Sequence, residues 1–252
     1  MWGMLLASPF FKEGSMKTVG IIGAMDIELE HLKKSLENLK IETHRNVNFY
    51  IGEEDGIKVV LMKCGIGKVA SSRGCQMMSD IYNPDVIINT GIAGGVGENL
   101  SLSDIVVSTS LVQHDFDVTG FGYPLGYCCI GGDKTKPSHF VSDKVESDRI
   151  FECAVKVNGK EHVKRGVIAT GDQFICTKEK KMEIYKNFGA LATEMEGCAI
   201  AEVCFFNEIP FVILRAISDL ADGSAPKNYT EFERKAADTS AKVILEYLKS
   251  IN

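Results

Sequence analysis

Residues 192–204 read "ATEMEGCAIAEVC", with Glu194 and Glu196 set in a run of small and apolar residues. Its second half has helical spacing: Ile200, Val203 and Cys204 fall on one side, and Ala199 and Ala201 allow close packing. An unpaired carboxylate is costly to bury, so acids at the mouth of such an element must be paired, solvated or at work. Glu28 in "GAMDIE" and Asp219 in "AISD" also follow apolar runs. Singly, each is better explained as an ion pair or a helix cap; Arg215 offers a partner for one acid, and Asp219 suits a cap. Together, Glu28, Glu196 and Asp219 with one nearby cation are harder to explain as structure alone. Cleavage of a glycosidic bond needs this inventory: an acid for the leaving group, a base for water and an acceptor for sugar hydroxyls.

The elements around these acids alternate. "KTVGIIGAM" reads as a buried strand running into a glycine turn, followed by a helix with Leu29, Leu32, Leu36 and Leu39 as its stripe. "VNFYIGEEDGIKVVLMK" reads as a hairpin, because Asp55-Gly56 suits a tight turn between two strand-like runs. "PDVIINTGIAGGVG", "DIVVSTSLV", "VKRGVIATGDQF", "GALATEME" and "PFVILRAISD" each carry an apolar run, most of them into a polar or glycine-rich end, and Tyr229 to Asn252 form an amphipathic helix. The expected fold is an α/β domain with a mixed, mostly parallel central sheet covered by helices. Ligands of such sheets bind beyond the carboxyl ends of the strands, where Glu28, Glu194, Glu196, Ser218 and Asp219 fall.

Other candidate motifs are weaker. "GIIGAM" is not GxGxxG, and "GIGKVAS" is not a Walker A loop, since Met62 stands where its first glycine belongs. His114 in "QHDFDVTGFGY" has no second histidine nearby, which favours a structural or surface role. Ser218 lacks the GxSxG elbow of a nucleophilic serine.

Composition narrows the function classes. The 252 residues are 45% hydrophobic and 25% charged, with a formal charge of −6 and no basic block, which argues against nucleic-acid binding. Eight cysteines are scattered without CxxC or Cys/His metal spacing, as expected of buried thiols in a reducing, cytoplasmic compartment. No membrane span is expected. Residues 1–15 read as a disordered extension, a remnant of expression or an upstream start, with one domain over 16–252.

Seven motifs then run in order along the chain: "GIIGAMDIEL", "GIGKVAS", "INTGIAGGV", "HDFDVTGFGY", "ATGDQFI", "TEMEGCAIAEVC" and "RAISDLAD". The set, covering about residues 16 to 250, resembles the 5′-methylthioadenosine/S-adenosylhomocysteine nucleosidases of the purine nucleoside phosphorylase-like superfamily. The resemblance implies a three-layer α/β sandwich, a homodimer, adenine nucleosides as the small-molecule partners, and hydrolysis of the adenine–ribose bond with no metal or cofactor. By motif, Glu28 resembles the water-activating base and Asp219 the acid that protonates adenine N7, with Ser218 positioning the base. Met195 and Glu196 resemble the ribose-binding pair. Phe174 and Ile175 resemble the adenine clamp, and Met25, Ile66, Ala93, Gly94 and Tyr229 other pocket residues. Val118 and Phe121 resemble residues that reach the partner subunit's 5′-substituent pocket. Ile92 departs from the pattern, standing where many members carry serine, which bears on a hydrogen bond there. Glu194 is left a structural role beside Arg215. Phosphorolysis on the same fold, hydrolysis of a related nucleoside such as futalosine, and non-catalytic nucleoside binding are the rival readings.

Overall fold

The computed structural model describes residues 17–252, so the extension expected over 1–15 lies outside the described residues. Ten strands are formed: β1 (Thr18–Gly23), β2 (Glu37–His44), β3 (Val47–Glu54), β4 (Ile57–Lys63), β5 (Val86–Gly95), β6 (Ile105–Gln113), β7 (Phe140–Val141), β8 (Val163–Thr170), β9 (Ala190–Glu194) and β10 (Phe211–Asp219). Between them lie α1 (Asp26–Ser35), α2 (Lys68–Tyr82), α3 (Lys144–Asn158), α4 (Lys178–Phe188), α5 (Gly197–Phe206) and, at the end, α6 (Ala225–Ser250).

All ten strands share one mixed sheet, the α/β class expected. β4, β1, β5 and β10 run parallel through its centre. β6 joins β10 antiparallel, and β8 and β9 follow β6 in parallel. The sheet then curls: β9 returns to the end of β5, pairing Thr193 with Gly94 and Ala192 with Gly95. The curl brings the ends of β1, β5, β9 and β10 to one place.

Central strands are apolar on both faces because helices cover both. Val19 and Ile21 of β1, with Val86 and Ile88 of β5, pack into a core with Leu29, Leu32, Ile150, Ile244 and Tyr247. The alternate residues Ile22 and Ile87 enter a second core with Phe49, Met62, Met78, Ile200 and Cys204. The period-2 pattern thus splits each strand between α1, α3 and α6 on one side and α2 and α5 on the other.

The Asp55-Gly56 turn forms as expected, with φ of +47° and +71°, the left-handed pair that a two-residue hairpin of this kind requires. The Leu29–Leu39 helical stripe does not hold throughout. α1 stops at Ser35, and Leu39 lies on β2, which pairs antiparallel with β3 through a second two-residue turn at Arg45-Asn46. β2 is exposed along almost its whole length, so no alternating burial marks it as a strand; its partner β3 decides its conformation.

Phe49 anchors this hairpin to α2. Its ring is fully buried, and its centroid lies 5.0 Å from that of Tyr82. Phe49→Ala should cost about 3–5 kcal/mol of stability, the range for truncating a buried aromatic. Urea unfolding of the two proteins measures this, and a loss under about 1 kcal/mol would show that the hairpin is not held by this core.

Candidate active site

β1 ends in a turn that leads directly into α1, and Glu28 occupies the first turn of that helix. Its carboxylate accepts the backbone N–H groups of Ala24 (2.7 Å), Met25 (2.9 Å) and, from β5, Ile92 (3.2 Å). Glu28 therefore does cap its helix, as a structural reading allows, but it does so while lining a cavity. Burial raises its pKa, opposed by the Arg215 charge and the three N–H donors. Gly91 makes room for it: a Cβ at that position would lie 2.4 Å from Glu28 Oε1 and 3.2 Å from Arg215 Nη1.

Asp219 closes β10 at a β-bulge, where the register with β5 slips between Ile217 and Asp219. Bulges re-aim side chains, and this one turns both Ser218 and Asp219 into the cavity. Ser218 Oγ donates to Asp219 Oδ2 (2.9 Å), and the Ala221 N–H donates to Oδ1 (2.9 Å). Burial again raises the pKa, against these two donors and the Lys181 charge. The direction suits an acid that must keep its proton toward neutral pH.

Glu194 pairs with Arg215 as the sequence suggested, and Glu196 is held less firmly. Glu194 takes Arg215 Nη2 at 2.5 Å and the Gly197 N–H at 2.7 Å, and it also accepts from Thr170 Oγ1. Among the described residues, Glu196 accepts the Gly67 N–H at 2.9 Å and lies 3.7 Å from Arg215. Burial and then the Glu194 charge push Glu196 up to about 7. Burial alone would lower the pKa of Arg215, but Glu194, Glu196 and Glu28 hold it above its ordinary value.

The cavity has a volume of about 420 Å³. Met25, Glu28, Ile66, Ala93, Gly94, Phe174, Ile175, Met195, Glu196, Ser218, Asp219 and Tyr229 all line it, drawn from distant parts of the chain. Phe174 and Tyr229 meet edge to face, with centroids 5.9 Å apart, and Tyr229 Oη lies 3.4 Å from Met25 Sδ. Ile92 also lines the cavity; its apolar side chain faces the space while its N–H serves Glu28.

Val118 and Phe121 are not brought to this cavity; Val118 caps a 3₁₀ turn, Thr119–Phe121, whose last residue Phe121 is 84% exposed. His114 is buried away from it, and its two ring nitrogens have no partner among the described residues. Asp26, next to Glu28 in sequence, points to solvent and pairs with Lys63 at 2.6 Å. Sequence reasoning passed over Asn89, whose carbonyl accepts from Arg215 at 2.5 Å. A polar residue inside the apolar "VIIN" run was its signal. Thr170, a second support of Glu194, had no comparable signal. Among the described residues, no His/Cys/Asp/Glu group is arranged to hold a metal.

The family model described as the phosphorylase superfamily matches residues 18–249, which gives the class of this fold and site. A 5′-methylthioadenosine/S-adenosylhomocysteine nucleosidase of Shewanella halifaxensis (strain HAW-EB4) is 38% identical over 234 residues, 92% of this chain and 99% of that protein. The nucleosidase structure from Neisseria meningitidis, in complex with methylthio-immucillin-A, matches with TM-score 0.86 and 39% identity, over 93% of this chain and 100% of that one. The one from Streptococcus pyogenes, in complex with 5-methylthiotubericidin, gives TM-score 0.87 and 32% identity over 96% and 100%. The chain belongs to the 5′-methylthioadenosine/S-adenosylhomocysteine nucleosidase family.

Glu196 generates a stability prediction. Its pKa is raised in the folded state, from an ordinary 4.5 to about 7, so the native protein binds this proton more tightly than the unfolded chain does. That contribution is complete below about 4.5 and is lost as pH rises through about 7. Thermal melts from pH 4.5 to 8 should show a decline in wild type that is flattened in Glu196→Gln. Parallel pH profiles for the two proteins would rule out a raised pKa at this residue.

Proposed function

We propose that the chain hydrolyses the adenine–ribose N-glycosidic bond of 5′-methylthioadenosine and S-adenosylhomocysteine, and also of 5′-deoxyadenosine. The observation that carries this reading is one cavity lined by both Glu28 and Asp219, each buried and each with a raised pKa, with Glu196 between helix and sheet.

Adenine leaves poorly as an anion. Asp219 protonates N7: its O–H bond breaks, an N–H bond forms, and the electron pair stays on the carboxylate. The C1′–N9 bond then cleaves and its electrons pass to the now neutral adenine. Glu28 takes a proton from water as the water oxygen bonds to C1′, giving free adenine and a 5-substituted ribose. The net transfer of one proton from Asp219 to Glu28 is reset through solvent. Positive charge developing on the sugar favours the acid-rich wall, the kind of preorganised electrostatic stabilisation that is strong in a buried site. Three N–H donors on Glu28 support its ionised form, as a base requires, while its raised pKa makes it a better proton acceptor near neutral pH. Ser218 steadies the acid, Glu196 accepts from ribose hydroxyls beside Met195, and Phe174 and Ile175 clamp the purine.

Phosphorolysis is the less favoured chemistry. A phosphate dianion calls for converging arginines or lysines, and no such residue lines the cavity among the described residues. Arg45 sits in the exposed hairpin turn, and Arg215 is already held by Glu194 and Asn89. We further infer a homodimer in the cytoplasm. The exposed Phe121, near Val118, supports the first, and eight free thiols suit the reducing compartment.

Asp219→Asn and Glu28→Gln should each lower kcat by on the order of 10²–10⁴-fold while the melting curve stays cooperative. Adenine release by wild type should proceed in phosphate-free buffer and yield the free sugar. Near-normal turnover in either variant would remove that residue's role; a rate that rises from near zero with phosphate, giving a ribose 1-phosphate, would overturn hydrolysis itself. Light scattering at micromolar concentration should return twice the chain mass, and a monomer there would count against the dimer.

A further inference from the structure

α4 opens on a basic run, and its lysines do different things. Lys180 pairs with Glu183 on the helix surface at 2.8 Å. Lys181 is half-buried and reaches away from its own helix, its Nζ donating to the Leu220 carbonyl at 2.8 Å. Leu220 directly follows Asp219. The next residue, Ala221, is fully buried with φ of +50°, a left-handed conformation that strains a non-glycine residue and persists only when its surroundings hold it. Its N–H is the donor to Asp219 Oδ1, and its Cβ occupies space left open by Gly94, where an added Cβ would come within 3.1 Å. The turn carrying the acid is therefore held at Asp219 Oδ1, at the Leu220 carbonyl and at the Ala221 methyl. Fixing a lysine stem and partly drying its head group costs entropy and hydration, which a surface lysine would keep.

We propose that Lys181 is a positioning residue for the acid step: tied to the Leu220 carbonyl, its ammonium fixes the turn that aims Asp219 into the cavity and sets a positive charge beside that carboxyl. This rests on the reading of Asp219 as general acid. When the Asp219 O–H bond breaks and the proton moves to the purine, the electron pair left behind makes a carboxylate. The titratable groups around it are otherwise neutral or acidic: Asp222 in the same loop and Tyr229 from α6, with Glu28 and Glu196 lining the same cavity. Among the described residues Lys181 is the cation set against them; its charge acts on Asp222 and on Asp219, and it stabilises the charge that the step creates. It also lowers the pKa of Asp219 relative to the same carboxyl without it, making the acid stronger.

The test uses the full chain with 5′-methylthioadenosine, following adenine release across pH for wild type, Lys181→Met, Lys181→Gln and Lys181→Arg, with Asp219→Asn as reference. Lys181→Met should lower kcat by on the order of tenfold with KM little changed. The alkaline limb of its kcat profile should move to higher pH, because the carboxyl without its neighbouring cation holds its proton longer. Lys181→Gln keeps a donor for Leu220 and loses the charge; its limb should move as in the Met variant with a smaller fall in kcat. Lys181→Arg should keep the wild-type limb and most of the rate. If Asp219→Asn is inactive yet Lys181→Met and Lys181→Gln keep the wild-type kcat and limb, the inference on Lys181 fails while the acid reading stands. An arginine variant as impaired as the methionine one also overturns it. Turnover retained in Asp219→Asn would remove the acid reading, and this inference with it.

Discussion

Arg215 lies on the fully buried strand β10 with 1% of its side chain exposed, and the carboxylates of Glu194, Glu196 and Glu28 set its charge balance. A guanidinium in that position is tolerable only because acids and an amide oxygen surround it. The dependence is mutual. Without Arg215, Glu194 would be a buried anion left with uncharged donors only, and Glu196 would face Glu194 with no cation between them. The contact at 2.5 Å to Glu194 is the firm one, and the 3.7 Å approach to Glu196 is looser. That difference leaves Glu196, which also lines the cavity, less firmly held than Glu194.

The closeness of these charges depends on backbone that carries no side chain. Glu28 of α1 and Arg215 of β10 share the space above Gly91 on β5, the strand that separates β1 from β10. Gly94 makes a comparable opening for Asp219 and Ala221. The curl of the sheet and the bulge at the end of β10 then bring the Asp219 side chain to the same cavity. Each device is local, yet together they bring Glu28 and Asp219 to one space.

Glu28 and Asp219 are both buried carboxyls, and burial moves both in the same direction. Their partners differ. Glu28 meets three backbone N–H groups and the long reach of the Arg215 charge, all of which favour the anion. Asp219 has one N–H, one hydroxyl and the Lys181 charge, while the like charge of Asp222 opposes its ionisation. Two residues of the same chemistry thus sit in one cavity with different partners.

Much of this was legible in one dimension. Apolar runs at strand length, the Asp55-Gly56 turn and glycines after strands specify an α/β sheet, because burial on two faces and left-handed turns are local demands on residue type. The acids could be counted, and the ordered motifs named the pocket residues that the fold gathers. The sequence failed where a neighbour decided the outcome. β2 carries no burial pattern and becomes a strand because β3 offers it hydrogen bonds. Glu28 could be judged a cap or a cavity residue, and only the approach of β5 across Gly91 made it both. Arg215 was visible as one partner for one acid. Its place among Asn89, Glu194, Glu196 and Glu28 arises from residues 126 positions apart at the longest hydrogen bond, brought together by strand order rather than by spacing.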